Sequence, residues 1–193
     1  MSLPIKKEVT LNEFYKMREI SDHLLEYMDG IVFMSPSPST VHQRISGRLH
    51  AQLFHFLEGK KCEVFHAPFD VELSQKNKKD KKVVIPDLSV ICDKEGLDNE
   101  KYSGAPTLII EIISPSNQSH DLVTKLNLYM EYGVKEYWIV NPLLTSVQVY
   151  TLNTEGNYQQ KDIVKHEGII NSEVLSGFTV DVAKLFLSPM DGL

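Results

Sequence analysis

The chain has little cysteine and no long apolar run, and both shortages restrict the kind of protein it can be. Only Cys62 and Cys92 occur in 193 residues, and neither the cysteines nor the histidines show the spacing of a zinc motif. We therefore expect two reduced thiols in a cytoplasmic protein. No apolar run approaches the ~18 residues that span a bilayer, and residues 1–7 lack the apolar stretch of a secretory signal, so we expect no membrane partner.

Several enzyme signatures are also missing. The sequence contains no glycine-rich phosphate loop, no Gly-x-Ser-x-Gly elbow and no dinucleotide fingerprint, which excludes serine hydrolases of that type and nicotinamide enzymes. The net charge of −6 and pI near 5.6 are unlike those of a general nucleic-acid coat protein. With 42% hydrophobic and 24% charged residues, the composition predicts one globular domain over residues 1–193.

One segment is basic, although the chain as a whole is acidic. Five lysines crowd the residues before an apolar segment at 83–91: Lys76, Lys78, Lys79, Lys81 and Lys82. We expect them to form an exposed loop with few contacts to the core. Such a loop would either contact phosphates or serve as a solvated hairpin tip, where lysine also discourages edge pairing.

The N-terminal third carries clear turn and capping signals. Thr10 and Glu13 form a capping box that predicts a short helix, and residues 24–36 follow as a β-hairpin. The hairpin turn falls at Asp29-Gly30, a pair that suits a two-residue turn between strands.

Apolar periodicity predicts the remaining elements. Thr40 and Gln43 form a second capping box, which opens a longer helix ending near Gly59. Strands are predicted near residues 62–66, 68–74, 83–91, 107–113, 135–140, 146–152 and 158–164, and further helices over about 119–132 and 182–187.

Two apolar segments each carry a single carboxylate. Asp87 ends the tripeptide Ile85-Pro86-Asp87, and Glu111 stands in the middle of the apolar run 109–113. An ionised carboxylate in an apolar setting needs a cation or a hydrogen-bonding partner. If the two strands deliver these acids to a common point, they form a site for a hard divalent cation such as Mg²⁺. Alternatively, Asp87 caps a turn and Glu111 pairs with a surface lysine.

The order of motifs around these acids is more specific than the acids themselves. The motifs are Glu26-Tyr27-Met28-Asp29-Gly30, Ser35-Pro36-Ser37-Pro38, His42, Glu111-Ile112-Ile113-Ser114-Pro115-Ser116-Asn117, Asp121-Leu122-Val123-Thr124-Lys125, Tyr129, and Tyr132-Gly133-Val134-Lys135-Glu136-Tyr137-Trp138-Ile139-Val140-Asn141-Pro142. Over about residues 10–187 the chain resembles a family of small bacterial proteins of Uma type, labelled as restriction endonucleases, within the PD-(D/E)XK nuclease superfamily.

This resemblance implies a fold and a function. The fold would be α/β, with a restriction-endonuclease-like core in which helices flank a central mixed β-sheet, preceded by an N-terminal helix and β-hairpin. The function would be hydrolysis of DNA phosphodiester bonds by an endodeoxyribonuclease dependent on Mg²⁺ or Mn²⁺, by analogy as a homodimer. The alternatives are a catalytically degenerate binding or regulatory module and, third, a structural protein whose acids form ion pairs.

The resemblance also implies roles for the acids. Asp87 and Glu111 would hold the metal together with the Ile112 carbonyl, and Glu26 would be an additional metal contact. The superfamily's lysine stands two residues after the second acid, where this sequence has Ile113. The standard motif is therefore broken.

A lysine on the following helix can replace the missing one. Lys125 borders the apolar face of the predicted helix, so its ammonium group could reach the acids on the sheet. Asp121 lies four residues earlier on the same face, where it would be a substrate contact or only a surface partner of Lys125. His42, in the first turn of its helix, would be a substrate contact or simply an exposed polar residue.

Overall fold

The structure, a computed structural model, describes residues 8–35, 37–74, 81–114 and 120–187, with the backbone alone for 120–122. The helices are α1 Leu11–Glu19, α2 Thr40–Leu57, α3 Leu126–Tyr132 and α4 Val182–Phe186, and a π-helical segment, His120–Lys125, runs into α3. The strands are β1 Leu25–Met28, β2 Ile31–Met34, β3 Glu63–His66, β4 Asp70–Leu73, β5 Lys82–Val84, β6 Leu88–Ile91, β7 Lys101–Ser103, β8 Leu108–Ile112, β9 Glu136–Asn141, β10 Ser146–Leu152, β11 Tyr158–Lys165, β12 Ile169–Asn171 and β13 Thr179–Asp181.

Two sheets form the framework of the described residues. The larger has the order β11-β10-β9-β8-β6-β3, and it is mixed because β8 and β9 run parallel while its other neighbours are antiparallel. The smaller has the order β2-β1-β5-β4-β7, and β12 pairs with β13 separately. The predicted mixed sheet with flanking helices is confirmed.

The apolar side chains divide into three layers that follow strand alternation. One cluster packs α2 and α4 against one face of the six-stranded sheet. A second fills the space between the other face of that sheet, the five-stranded sheet and α3. A third, small cluster around Phe14 joins α1 to the five-stranded sheet. The near-continuous apolar strands β6, β8 and β9 are thus covered on both faces, as their sequences predict.

The turn and capping signals of the N-terminal third give the predicted structure, except that α2 begins one residue earlier than predicted. Thr10 and Glu13 form the reciprocal capping box of α1. Asp29 and Gly30 both adopt positive φ, at 51° and 76°, which gives the turn the handedness that matches twisted antiparallel strands. The prediction of Thr40 as the N-cap of α2 is wrong. Thr40 is already helical because the preceding residue, Ser39, is extended and accepts a hydrogen bond from the His42 N–H.

The predicted strand over residues 83–91 is wrong as a single element. It consists of β5 in the five-stranded sheet and β6 in the six-stranded sheet, separated by Ile85-Pro86-Asp87. Proline lacks an N–H and cannot continue a ladder, so the chain passes from one sheet to the other at this tripeptide. The short strands β7, β12 and β13 were not predicted either.

The expectation of two reduced cysteines is also wrong for this structure. Cys62 and Cys92 form a disulfide, with their Cα atoms 4.0 Å apart. They are 30 residues apart in the chain, but β3 and β6 pair antiparallel with Glu63 opposite Ile91, which brings the flanking cysteines face to face. The spacing of Cys62 and Cys92 along the chain does not reveal that the two residues are close in space.

The lysine-rich loop was predicted to be exposed with few core contacts. Lys76, Lys78 and Lys79 lie outside the described residues. Lys82 contradicts the prediction, because it is only 5% exposed and forms an ion pair with Asp29 of the hairpin turn. Within the ranges that the structure describes, no helix combines the length and apolar character needed to cross a membrane.

A buried acid on the five-stranded sheet gives a pH-dependent test of this fold. The Glu72 carboxylate accepts hydrogen bonds from Lys81 at 2.6 Å, Lys101 at 3.1 Å and the Tyr15 hydroxyl at 3.1 Å. Burial alone would raise the pKa of Glu72, but the two ammonium groups outweigh it and lower that pKa below its ordinary value. The stability that comes from ionised Glu72 is therefore present above the unfolded-state pKa of about 4.3 and is lost as the pH falls through the lower folded-state pKa.

We expect Glu72→Gln to lower the free energy of unfolding at neutral pH and to reduce its further fall in acid. Urea unfolding of parent and variant at about pH 7, 5 and 3 measures both effects. Glu155→Gln, which changes an exposed carboxylate in the turn between β10 and β11, is the control. An acid-induced loss of stability as large in Glu72→Gln as in the parent would contradict this role for Glu72.

Candidate active site

A cavity of about 510 Å³ lies where the two sheets meet the start of α2. Three carboxylates from different parts of the chain, those of Glu26, Asp87 and Glu111, line it together with the Lys125 ammonium group. Glu26 belongs to β1, Asp87 stands just before β6, Glu111 belongs to β8, and Lys125 ends the π-helical segment. The cavity therefore collects one titratable group from each sheet, from the corner between them and from the helix.

Asp87 is held at the corner by contacts on both of its oxygens. Oδ2 accepts a hydrogen bond of 2.7 Å from the Ile112 N–H, and Oδ1 lies 3.1 Å from Nε2 of His42. The pairing of Leu88 with Ile110 places Asp87 beside Glu111 at the end of the β6–β8 ladder. Because the chain turns between sheets at Pro86, Asp87 faces the cavity instead of extending a strand.

Glu111 sits in the middle of a strand and is only 3% exposed. Its Oε1 accepts hydrogen bonds from Nζ of Lys125 at 2.9 Å and from the Tyr129 hydroxyl at 2.6 Å. Alternation along β8 puts Ile109 and Ile113 on the same side as Glu111, and both belong to the apolar layer between the sheets. An ionised group in such surroundings requires these charged and polar partners.

Lys125 connects the two sheets electrostatically. Its Nζ lies 2.9 Å from Oε1 of Glu111 and 3.2 Å from Oε1 of Glu26, and its side chain is 6% exposed. The same oxygen of Glu26 accepts a hydrogen bond of 2.8 Å from the Ile85 N–H, one residue before Pro86. Glu26 therefore fixes both the lysine and the start of the corner that carries Asp87.

The charge balance of the site fits a divalent cation. Three carboxyl groups and one amino group carry a formal charge of −2 beside an apolar layer, and carboxylate oxygens are the ligands that Mg²⁺ and Mn²⁺ prefer. Across the described residues, no group of three or more Asp, Glu, His or Cys side chains is already arranged around a common metal position. Mg²⁺ commonly takes one or two protein carboxylates and completes its shell with water and substrate, so the donors present fit it.

The structure brings most of the predicted site residues to one place. Glu26, Asp87, Glu111, Ile112, Lys125 and His42 all line the cavity. The backbone N–H of Ile112 contacts Asp87, and Ile113, at the position of the superfamily lysine, is buried in the apolar layer. The side chain of Asp121 lies outside the described residues, so its predicted role stays a prediction.

Sequence reasoning named Tyr129 among the family motifs but gave it no role in the site. The residue is fully buried, and its hydroxyl donates a hydrogen bond of 2.6 Å to Oε1 of Glu111. Burial raises the pKa of Tyr129 well above its usual value, and the negative charges of Glu111 and Glu26 raise it further, so the hydroxyl remains a proton donor. The available signal was its spacing of four residues from Lys125, which places both on one helix face.

The mixed sheet with flanking helices, which brings acids together where neighbouring strands meet, is an α/β fold that known proteins share. Residues 11–183 match the family Uma2, described as "Putative restriction endonuclease", and the chain belongs to this family. An uncharacterized protein, slr1290, of Synechocystis sp. is 27% identical over 187 residues, which cover 94% of this chain and 93% of that protein.

A solved structure shares the fold. It is described as a putative nuclease belonging to DUF820 from Anabaena variabilis, and it superposes with a TM-score of 0.73 at 19% sequence identity. The similarity covers 92% of this chain and 97% of the other. At this level of identity the likeness establishes the architecture alone.

The Tyr129 hydroxyl gives the site a structural test. Tyr129→Phe keeps the ring in its packing position but removes a donor from the buried Glu111 carboxylate, which should lower the free energy of unfolding by about 1–3 kcal/mol. Urea unfolding measures the change. The control is Tyr150→Phe, whose hydroxyl donates to the half-buried Gln148 side chain on its own strand, with an expected cost below about 1 kcal/mol. Equal losses in the two variants would contradict a special role for the Glu111 contact.

Proposed function

We propose that this protein is an endodeoxyribonuclease that hydrolyses DNA phosphodiester bonds with Mg²⁺ or Mn²⁺. The observation that carries the proposal is the meeting of Asp87, Glu111 and Lys125 in one cavity, although they come from separate elements. The chain belongs to a family that is described as restriction endonucleases, and this membership supports the same chemistry. A purely structural set of ion pairs would not need a cavity beside it.

In this proposal the acids hold the metal. Asp87 and Glu111 would be the principal ligands, with the Ile112 carbonyl and Glu26 as further contacts. When bound, the cation lowers the pKa of a coordinated water and shields the charge of the phosphate. The hydrogen bond from the Ile112 N–H orients Asp87, and the Tyr129 hydroxyl orients Glu111, so both carboxylates are preorganised by the chain itself.

Lys125 would supply the positive side chain that stabilises charge developing on the phosphate. Ile113 is aliphatic and buried, so it cannot take this role. The ion pairs of Lys125 with Glu111 and Glu26 keep its ammonium group beside the acids. A fixed cation of this kind contributes to catalysis because it needs no reorganisation when charge develops.

His42 is the proposed substrate contact at the start of α2. Its Nε2 lies 3.1 Å from Oδ1 of Asp87, and it lines the cavity together with Ser39 and Gln43. In that place it can orient Asp87 through Nε2 or donate to a phosphate oxygen. Asp121 remains a candidate contact from the sequence alone.

A catalytically degenerate binding or regulatory module is the second candidate. The observations that favour it are the aliphatic Ile113 two residues after Glu111 and the acidic pI near 5.6. Double-strand cutters of this fold often work as dimers, so a homodimer stays a prediction by analogy, as does a cytoplasmic location. Metal binding and cleavage assays separate the two candidate functions.

Lys125→Ala should lower the rate of Mn²⁺-supported plasmid cleavage by roughly a hundredfold or more, because removal of a group that stabilises the transition state costs several kcal/mol. Lys135→Ala is the matched control, since Lys135 is exposed at the turn before β9. Thermal melting verifies that both variants fold. Cleavage by Lys125→Ala as fast as by the parent would eliminate this role for Lys125. A folded parent that cuts no DNA would favour the binding module.

Calorimetric titration with Mn²⁺ tests the metal site without requiring turnover. The parent should bind, and Asp87→Asn and Glu111→Gln should each weaken binding at least about tenfold, since each replaces an anionic ligand by a neutral one. Glu100→Gln, an exposed carboxylate before β7, should bind as the parent does. If Asp87→Asn and Glu111→Gln leave the titration unchanged, these acids do not hold the metal.

A further inference from the structure

A row of aromatic rings leads away from the cavity along α2. Residues 42, 46, 50 and 54 form a line that runs beside the buried row Ile45, Leu49, Leu53 and Leu57. The rings of His50 and Phe54 are 6.2 Å apart between centroids and only 28° from parallel. His50 also meets His66 of β3 edge to face, with 4.8 Å between the centroids. We name Phe54, His50 and His66 the aromatic strip.

The aromatic strip is continuous with the cavity. His66 lines the cavity beside Ala67, Pro68 and Asp87. The Ala67 N–H donates a hydrogen bond of 3.0 Å to the Asp87 carbonyl, so the segment that carries His66 is joined directly to the corner that carries the acid. A ligand that leaves the cavity on this side therefore passes over His66 first and then over His50 and Phe54.

Core packing does not explain why a phenylalanine occupies position 54. Its side chain is 61% exposed and belongs to none of the three apolar clusters, whereas Phe56, two residues later, packs against Phe178 with 5.2 Å between ring centroids. Burial lowers the pKa of His50, and the nearby His66 lowers it further, so the His50 ring is neutral at neutral pH. The strip consequently offers flat ring surfaces more than charge.

The charges around the cavity offer little attraction for the phosphates of a nucleic acid. The protein carries a net charge of −6, and the cavity itself holds three carboxylates. Lys125 is the one lysine or arginine among the described lining residues, and it is already paired with two of those carboxylates. Phosphate attraction is therefore weak here, and a nucleic acid would need another source of affinity near the site.

We propose that the aromatic strip stacks the unpaired bases of a DNA strand whose scissile phosphate enters the cavity, so the substrate contains a single-stranded stretch. The inference rests on the proposed nuclease function and narrows its substrate class. Unpaired bases present their faces to aromatic side chains and gain binding energy irrespective of sequence, whereas the bases of a continuous duplex are stacked on one another.

Fluorescence anisotropy tests this with a labelled oligo(dT) of about 20 nucleotides and a duplex of the same length, with Ca²⁺ as the divalent cation and strand integrity checked on gels. The parent should bind oligo(dT) more tightly than the duplex. Phe54→Ala should weaken oligo(dT) binding about fivefold or more while duplex binding changes little, and Phe54→Trp should retain it. His50→Ala and His66→Ala should also weaken oligo(dT) binding.

His55→Ala is the control, because His55 follows Phe54 on the same helix and its side chain is 90% exposed. The stacking proposal is wrong if the three variants Phe54→Ala, His50→Ala and His66→Ala bind oligo(dT) as tightly as the parent does, even if the protein cuts DNA. Tighter binding of the duplex than of oligo(dT) by the parent would overturn it too. Strip-dependent oligo(dT) binding by a parent that cuts nothing in Mn²⁺ would support the strip and contradict the proposed nuclease.

Discussion

The bridge that Lys125 makes between Glu26 and Glu111 is the interaction on which the rest of the site depends. Each carboxylate comes from a different sheet, each is almost fully buried, and either would be costly without a cation nearby. The single ammonium group satisfies both and so connects the five-stranded sheet, the six-stranded sheet and the helix. Because one lysine compensates only part of the negative charge, the site keeps an excess of acid that a divalent cation can balance.

The second constraint is the corner at Ile85-Pro86-Asp87. Pro86 ends the ladder of one sheet, and the next strand begins in the other, so the residue between them cannot be an ordinary strand residue. Its side chain turns toward the cavity, where the Ile112 N–H and His42 hold it. The Ile85 N–H, in turn, donates to Glu26. Glu26 therefore contacts both the corner and Lys125. A substitution that displaces the corner should also displace the lysine bridge.

Packing explains why an aliphatic residue stands two positions after Glu111. Ile113 lies in the apolar layer between the sheets, where a lysine would add a second cation to a buried region that already holds Lys125. The helix supplies the charge from the other side of the same layer. The proposed chemistry thus keeps one cation near the acids, while the strand contributes to the core.

The sequence by itself determined most of the local structure and pointed to many of the residues that line the cavity. Capping residues, the Asp29-Gly30 turn and apolar periodicity gave the helices and most strands, and isolated charges in apolar runs gave Asp87 and Glu111, because these signals act over a few residues. Tertiary structure decided the division of residues 83–91 between two sheets, the contact of Tyr129 with Glu111 and the pairing of Cys62 with Cys92. Those outcomes depend on which strands become neighbours, and strand pairing between distant segments leaves no mark in the spacing of residues along the chain.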